Sequence, residues 1–175
     1  QQKSRLKAFM CRHLHLTHEE QALLRQTPGD LHPMLVLQGL VPLLQLPEEE
    51  TLEAGMDAEH GLFIAAKISA LVAAHHRLSQ NKVILPPTPG KLFHENFLTM
   101  FRGTAPTNDQ VRMLNAAQIL QMEHSFNAGT FAGRVCASTL APIQSSISAS
   151  IGTLFGRLHG GADQAHRRCQ NPTAK

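Results

Sequence analysis

Leu158-His159-Gly160-Gly161-Ala162-Asp163 places one imidazole in a glycine-flanked turn. Glycines let the backbone bend where other residues cannot, and they let a ligand come close to it. An apolar helical run at 143–155 precedes the turn, and the residues after it read as the first turn of another helix. A helix start beside the ring aims its partly positive N-terminus at the imidazole and favours the neutral form. A neutral imidazole donates a hydrogen bond to a developing oxyanion near pH 7 without giving up a proton. The chemistry expected of His159 is therefore oxyanion stabilisation. Judged on local sequence alone, the same residues also fit a plain helix-terminating turn.

The other histidines read differently. There are 11 in 175 residues. His13 and His15, two apart, splay to different sides of a helix, and no carboxylate or cysteine completes a ligand set with them and His18. No metal site is expected. His75 and His76 fall at a packed helix end. His124 shares a helical stripe with Met113, Ala117 and Leu120, so it is expected to point with the core-facing side chains. Locally that describes a buried histidine satisfied by a backbone carbonyl.

These residues need a scaffold, and the composition allows one. A chain of 175 residues, 42% hydrophobic and 17% charged, is globular and the size of one domain. The net charge of +3 is scattered, with no interleaved aromatics or nucleic-acid motif, so nucleic-acid binding is not expected. Cys11, Cys136 and Cys169 are odd in number and far apart, which suits free thiols in a reducing, cytoplasmic setting. No run approaches the ~20 apolar residues of a membrane span, and no secretory signal is visible. The chain begins with glutamine, which suits either a fragment of a longer product or a truncated or degenerate copy.

The elements read as helices throughout. A loose helical pattern occupies 1–16. Thr17-His18-Glu19-Glu20 is a capping box that opens a helix to about Gln26, broken by Thr27-Pro28-Gly29. Asp30 is expected to cap the next helix, with Pro33 in its first turn; its many leucines between Leu35 and Leu46 predict burial, and Pro42 a break. The longest helix is expected over 58–79, with Ile64, Ile68, Leu71, His75 and Leu78 on one stripe. A Pro-rich connector, Pro86-Pro87-Thr88-Pro89-Gly90, leads to a short helix around 94–101 closed by Gly103. A second capping box at Thr107-Asn108-Asp109-Gln110 opens a helix expected to run through His124. Asn127-Ala128-Gly129-Thr130 interrupts the pattern, and Pro142 is placed as the first residue of a last helix. That helix has an isoleucine face and a small-residue face at Ser145, Ser146, Ala149 and Gly152. Nothing alternates at period two, so the fold class is all-α.

With these motifs laid out, the chain resembles the central part of a citrate synthase, of the bacterial type that includes 2-methylcitrate synthases. The resemblance rests on Glu123-His124-Ser125-Phe126-Asn127-Ala128-Gly129-Thr130-Phe131, on Arg134-Val135-Cys136-Ala137-Ser138-Thr139 and on Gly156-Arg157-Leu158-His159-Gly160-Gly161-Ala162-Asp163. Upstream, His32-Pro33-Met34 and His94-Glu95-Asn96-Phe97-Leu98 match in order and spacing. It covers about residues 28–165. It implies one partial domain over 1–175, corresponding to part of the large helical domain, with the small domain and the C-terminal segment outside the chain.

By this resemblance, His159 donates a hydrogen bond to the thioester carbonyl of acetyl-CoA and His124 hydrogen-bonds oxaloacetate. Acetyl-CoA or propionyl-CoA is the implied co-substrate, with no tightly bound cofactor. The reaction is a Claisen-type condensation followed by thioester hydrolysis. A homodimer, or association with a full-length citrate synthase subunit, is the implied assembly, and the small-residue face at Ser145, Ala149 and Gly152 suits it. Asp163 and Arg157 depart from the family's asparagine and proline. The family's second histidine, its aspartate and its oxaloacetate-binding arginines lie C-terminal to the His-Gly-Gly loop, so this chain is expected to be inactive by itself. The alternative is a non-catalytic helical interaction protein derived from a citrate synthase.

Overall fold

The computed structural model describes residues 2–49, 51–123 and 125–160. Among the described residues eight α-helices follow one another: α1 (Gln2–Arg12), α2 (His18–Gln26), α3 (Pro33–Leu40), α4 (Met56–Ser79), α5 (Phe93–Arg102), α6 (Asn108–Gln121), α7 (Ala128–Ala137) and α8 (Ile143–Leu154). No strand occurs among the described residues, and no helix there is long and apolar enough to cross a membrane.

The capping chemistry fixes the helix starts. Thr17 Oγ1 accepts from the Glu20 N–H at 3.2 Å while the Glu20 carboxylate accepts from the Thr17 N–H at 2.8 Å. Thr107 and Gln110 repeat the exchange at α6. Each box satisfies two backbone donors that a helix start leaves free. At α3 the expectation fails: the cap is His32, whose Nδ1 accepts from the Met34 N–H at 3.2 Å, and Asp30 is exposed. An imidazole nitrogen one residue before Pro33 reaches the free N–H that Asp30, three residues before it, does not. Pro42 ends α3 as expected, and one turn of 3₁₀ helix at Val41–Leu43 follows. Pro142 is the cap of α8 rather than its first residue, with φ −52° and ψ 145°.

Helix α4 is the axis of the molecule, 24 residues long or ~36 Å. Helices α1, α2, α3, α5 and α8 all pack on it. The expected stripe holds in part, since Ile64, Leu71 and His75 are buried and Ile68 and Leu78 half-buried. Burial extends well beyond the stripe, to Phe63, Ala66, Ala70, Ala73 and Ala74, because alanines let neighbours approach from several sides. Three charged residues, Glu59, Lys67 and Arg77, are also enclosed. Glu59 accepts from the N–H groups of Thr51 and Leu52 and from the Thr51 hydroxyl. Burial pushes its carboxyl up, but these donors outweigh it and hold the carboxyl below its ordinary range. Lys67, only 2% exposed, donates from Nζ to Glu20 at 2.7 Å and to the His15 carbonyl at 2.8 Å.

Two expectations about burial are overturned. Leu35 and Leu43 are exposed, while Val36, Leu37, Leu40, Val41 and Leu44 form the buried side of the same stretch. More consequentially, α6 buries no residue: Met113 is 72% and Leu120 82% exposed. The stripe is real, but periodicity reports an apolar face and not what covers it. The helix also ends at Gln121, short of His124, with Met122 as its cap.

The histidines of the core make stability pH-dependent. His13 packs between Phe9 and Phe63, with ring centroids 4.5 and 5.1 Å away. Burial pushes its imidazole below the ordinary range, and Lys67, Arg12 and His15 push the same way against Glu59. Burial also lowers His76, which stacks on Phe101 at 3.8 Å; Lys82, Arg77 and His75 add to the effect. The unfolded chain thus takes up protons that the folded chain refuses. Stability is full above the unperturbed imidazole pKa of about 6.5 and falls as pH drops below it. The melting temperature is expected to decline below about pH 6.5, and His13→Phe to make the decline shallower. An unchanged slope in the variant would remove His13 as a source.

Candidate functional site

The site region is built on the α7–α8 hairpin. Asn127 caps α7, its Oδ1 accepting from the Thr130 N–H at 2.9 Å, so the interruption seen at 127–130 is a helix start. The chain reverses through Leu140, at φ 61°, and α8 returns along α7. Gly129 and Gly133 make the approach close. A Cβ on Gly133 would lie 2.4 Å from Ser150 Oγ and 3.3 Å from the Ser146 carbonyl oxygen. Ser150 Oγ lies 2.9 Å from the Gly129 carbonyl oxygen and 3.1 Å from that of Ser146. The hairpin therefore brings the chain entering α7, just after position 124, to the end of α8 from which the His159 turn leaves.

Backbone hydrogen bonds define that turn. Gly156 N–H donates to the Thr153 carbonyl at 3.1 Å, His159 N–H to Gly156 at 2.9 Å and Gly160 N–H to Leu154 at 2.9 Å. The last bond folds the loop back onto the end of α8. A Cβ on Gly160 would meet the Leu154 carbonyl oxygen at 2.7 Å, so the close approach itself requires glycine there. His159 is half-buried and Leu158 exposed. Phe155 anchors the loop, its ring 4.4 Å from that of His32, the residue that caps α3. The first of the motifs thus meets the residue that immediately precedes the last. Ser148 Oγ reinforces the contact by donating to the Gln38 carbonyl at 2.7 Å.

His124 lies outside the described residues, as does the helix start expected after the glycines at 160 and 161. The flanks of position 124 are described. The Ser125 N–H donates to the Glu123 carboxylate at 2.5 Å, and Ser125 adopts φ 56°. Phe126 packs edge-on against Phe131, and the Arg134 guanidinium stands 5.0 Å over the Phe126 ring. Two motifs adjacent in sequence are thereby folded onto each other. The motif at 94–98 has a scaffolding role: buried Asn96 accepts from the Thr88 N–H at 2.7 Å and donates to the Thr88 carbonyl, pinning the Pro-rich connector. His94 pairs with Gln118 of α6 at 2.6 Å. The pairing of His32 with Phe155 was not anticipated; the only signal for it was His32-Pro33-Met34 at a helix start.

The small-residue face lets neighbouring helices approach closely, as its composition implies. Gly152 faces Gln38 of the same chain, whose Nε2 would lie 2.5 Å from an added Cβ, and Ser146 and Ser150 face α7. Gly152, Ser146 and Ser150 give α3 and α7 close access to α8. No group of three or more metal-ligating side chains is assembled among the described residues.

The family model described as "Citrate synthase, C-terminal domain" matches residues 1–173. The chain belongs to the citrate synthase family. The match begins well before residue 28, so the family relationship covers more of the chain than the motifs marked. Citrate synthase of Mycolicibacterium smegmatis is 38% identical over 147 residues, 83% of this chain and 39% of that protein. A 2-methylcitrate synthase of Mycobacterium tuberculosis (strain H37Rv) is 34% identical over 144 residues, 82% and 37% respectively. Among solved structures, citrate synthase from Thermotoga maritima MSB8 superposes with a TM-score of 0.80 at 29% identity, over 97% of this chain and 44% of that one. Citrate synthase from Thermoplasma acidophilum, solved as a ternary complex with carboxymethyl coenzyme A and oxaloacetate, gives 0.82 at 25% identity, over 93% and 43%. The all-α architecture is the helical citrate synthase fold, and the chain spans about two fifths of the length of these curated relatives.

Proposed function

We propose that this chain forms part of a citrate synthase-type acyltransferase site, for the condensation of an acyl-CoA (acetyl-CoA or propionyl-CoA) with oxaloacetate and hydrolysis of the resulting thioester. The observation that carries the reading is the α7–α8 hairpin, whose one end carries both the His159 turn and the chain flanking position 124. In this reading His159 donates a hydrogen bond to the thioester oxygen as negative charge develops on it, and His124 hydrogen-bonds oxaloacetate. The Gly160 N–H bond to Leu154 holds the turn, and half-burial of His159 limits competition from water. The assembly is a homodimer or a pairing with a full-length citrate synthase subunit, in the cytoplasm.

The condensation needs a base for the methyl proton, a donor for the enolate oxygen and an acid for the ketone. His159 supplies the donor. Groups that act as a unit lose nearly everything when one is absent, so the 175-residue chain has little or no turnover by itself. The test is release of free CoA thiol by the purified, folded chain with oxaloacetate and acetyl-CoA, and separately propionyl-CoA. No release is expected. Turnover abolished by His159→Ala would overturn the inactivity of the isolated chain and support the role of His159; turnover untouched by it would sink that role.

A second reading, a non-catalytic helical interaction protein, is favoured by the apolar side chains that α6 and α7 leave exposed, among them Met113, Leu120, Met122, Phe131 and Val135. Stoichiometric co-purification with a full-length citrate synthase, without any gain in CoA release, would favour it.

A further inference from the structure

Helix α8 is gripped on two faces. Ser150 and Gly133 close one of them against α7. The other lies along α3 and the turn after it. Gln144 Nε2 donates to the Leu44 carbonyl at 3.3 Å, Ser148 Oγ to that of Gln38 at 2.7 Å, and the Phe155 ring meets the His32 ring at 4.4 Å. Positions 144, 148 and 155 fall on one helical stripe, and their partners run the opposite way along the chain, so α3 and α8 are antiparallel. The start of α3 is thereby set beside the end of α8, one turn ahead of His159.

The bonds that close the His159 turn are local, between 153 and 160. What holds α8 at Phe155 therefore fixes where the turn points. His32 is suited to this in a way that commoner capping residues are not. Its Nδ1 accepts from the Met34 N–H at 3.2 Å, so the neutral ring carries its proton on Nε2 and its plane is tied to the helix start. Its face is left for Phe155, at an interplanar angle of 31°. Serine, threonine, aspartate and asparagine cap a helix but bring no ring. Phenylalanine brings a ring but no acceptor. Histidine supplies both.

We propose that His32 is a positioning residue for His159: its ring, held by the Met34 N–H, sets Phe155, and Phe155 sets the direction in which the turn presents the imidazole. The proposal rests on the donor role argued for His159 above. A donor that acts on a developing charge has to be in place before the charge appears, and a misplacement of about 1 Å costs as much as about a hundred-fold in rate.

The experiment uses the isotope-labelled 175-residue chain and two NMR readouts, exchange of the Gly160 N–H with solvent and the imidazole signals of His159. His32→Asn keeps a capping acceptor and removes the ring. Phe155→Leu keeps an apolar side chain and removes the other ring. Each is expected to speed Gly160 exchange about three- to ten-fold, the factor for losing one aromatic contact, and to shift the His159 signals. The double variant is expected to add little to the larger single effect, because both changes remove the same contact. Gln144→Ala cuts a tie on the same stripe near the start of α8 and is expected to leave both readouts unchanged, which separates positioning from a general loosening of the helix. Unchanged exchange and unchanged His159 signals in both ring variants, an equal response to Gln144→Ala, or full additivity in the double variant overturns the proposal. These readouts report geometry and not turnover, so they fail separately from the catalytic reading, which the CoA-release assay tests.

Discussion

Lys67→Met is expected to destabilise the chain by about 3–5 kcal/mol, the range for removing one partner of a buried ion pair. The Lys67 ammonium is enclosed on α4, 2.7 Å from Glu20 and 2.8 Å from the His15 carbonyl, and stands 5.3 Å from the Phe63 ring centre. Methionine fills the volume but leaves the Glu20 carboxylate and a backbone carbonyl without their donor. Glu20 is also the reciprocal partner in the Thr17 capping box, so the loss extends to the start of α2. A domain of this kind is stable by roughly 5–15 kcal/mol in total, so the effect is a large fraction of what holds it together. Urea unfolding measures it. The double variant Lys67→Met/Glu20→Gln is expected to cost less than the sum of the single variants, because it removes the stranded charge. Strict additivity would mean that the pair contributes no coupling.

Gly133→Val is the second large effect, about 2–3 kcal/mol by overpacking. Its Cβ would fall 2.4 Å from Ser150 Oγ, a hydroxyl that reaches the Gly129 carbonyl, and 3.3 Å from the backbone of α8 at Ser146. The serine can rotate away only by giving up its partners; the Ser146 carbonyl cannot move without α8. Adding Ser150→Ala should recover part of the loss. Full tolerance of valine would show that the two helices are not locked at this point. A shift of α7 against α8 also moves the chain flanking position 124 relative to the His159 turn, so the variant tests the geometry proposed for the site.

Much of the fold is legible in local chemistry. Thr17 with Glu20 and Thr107 with Gln110 specify two helix starts within four residues each. Pro42 and Gly103 specify two ends, because one cannot continue the hydrogen-bond ladder and the other adopts φ 85°. The candidate site is legible in part: His159 does sit in a closed turn at a helix end, and family membership follows from motifs that agree in order and spacing. The cap of α3 was misread because Asp30 is the commoner capping type, and nothing in the sequence shows an imidazole reaching back to Met34.

What the sequence determined by itself, then, is what depends on neighbours along the chain: helix identity, caps, breaks, the presence of apolar faces and the motifs that mark the family. Only the tertiary structure decided which faces are covered, because burial depends on residues far away in sequence. The stripe on α6 and the stripe on α4 look alike as patterns, yet α4 is enclosed by five other helices and α6 buries nothing. The same physics explains Lys67 and Glu59, ordinary charged residues in the sequence, each buried by partners that arrive from α2 or from the loop ahead of α4. It explains the meeting of His32 with Phe155, since only three-dimensional packing brings together rings that the chain holds far apart.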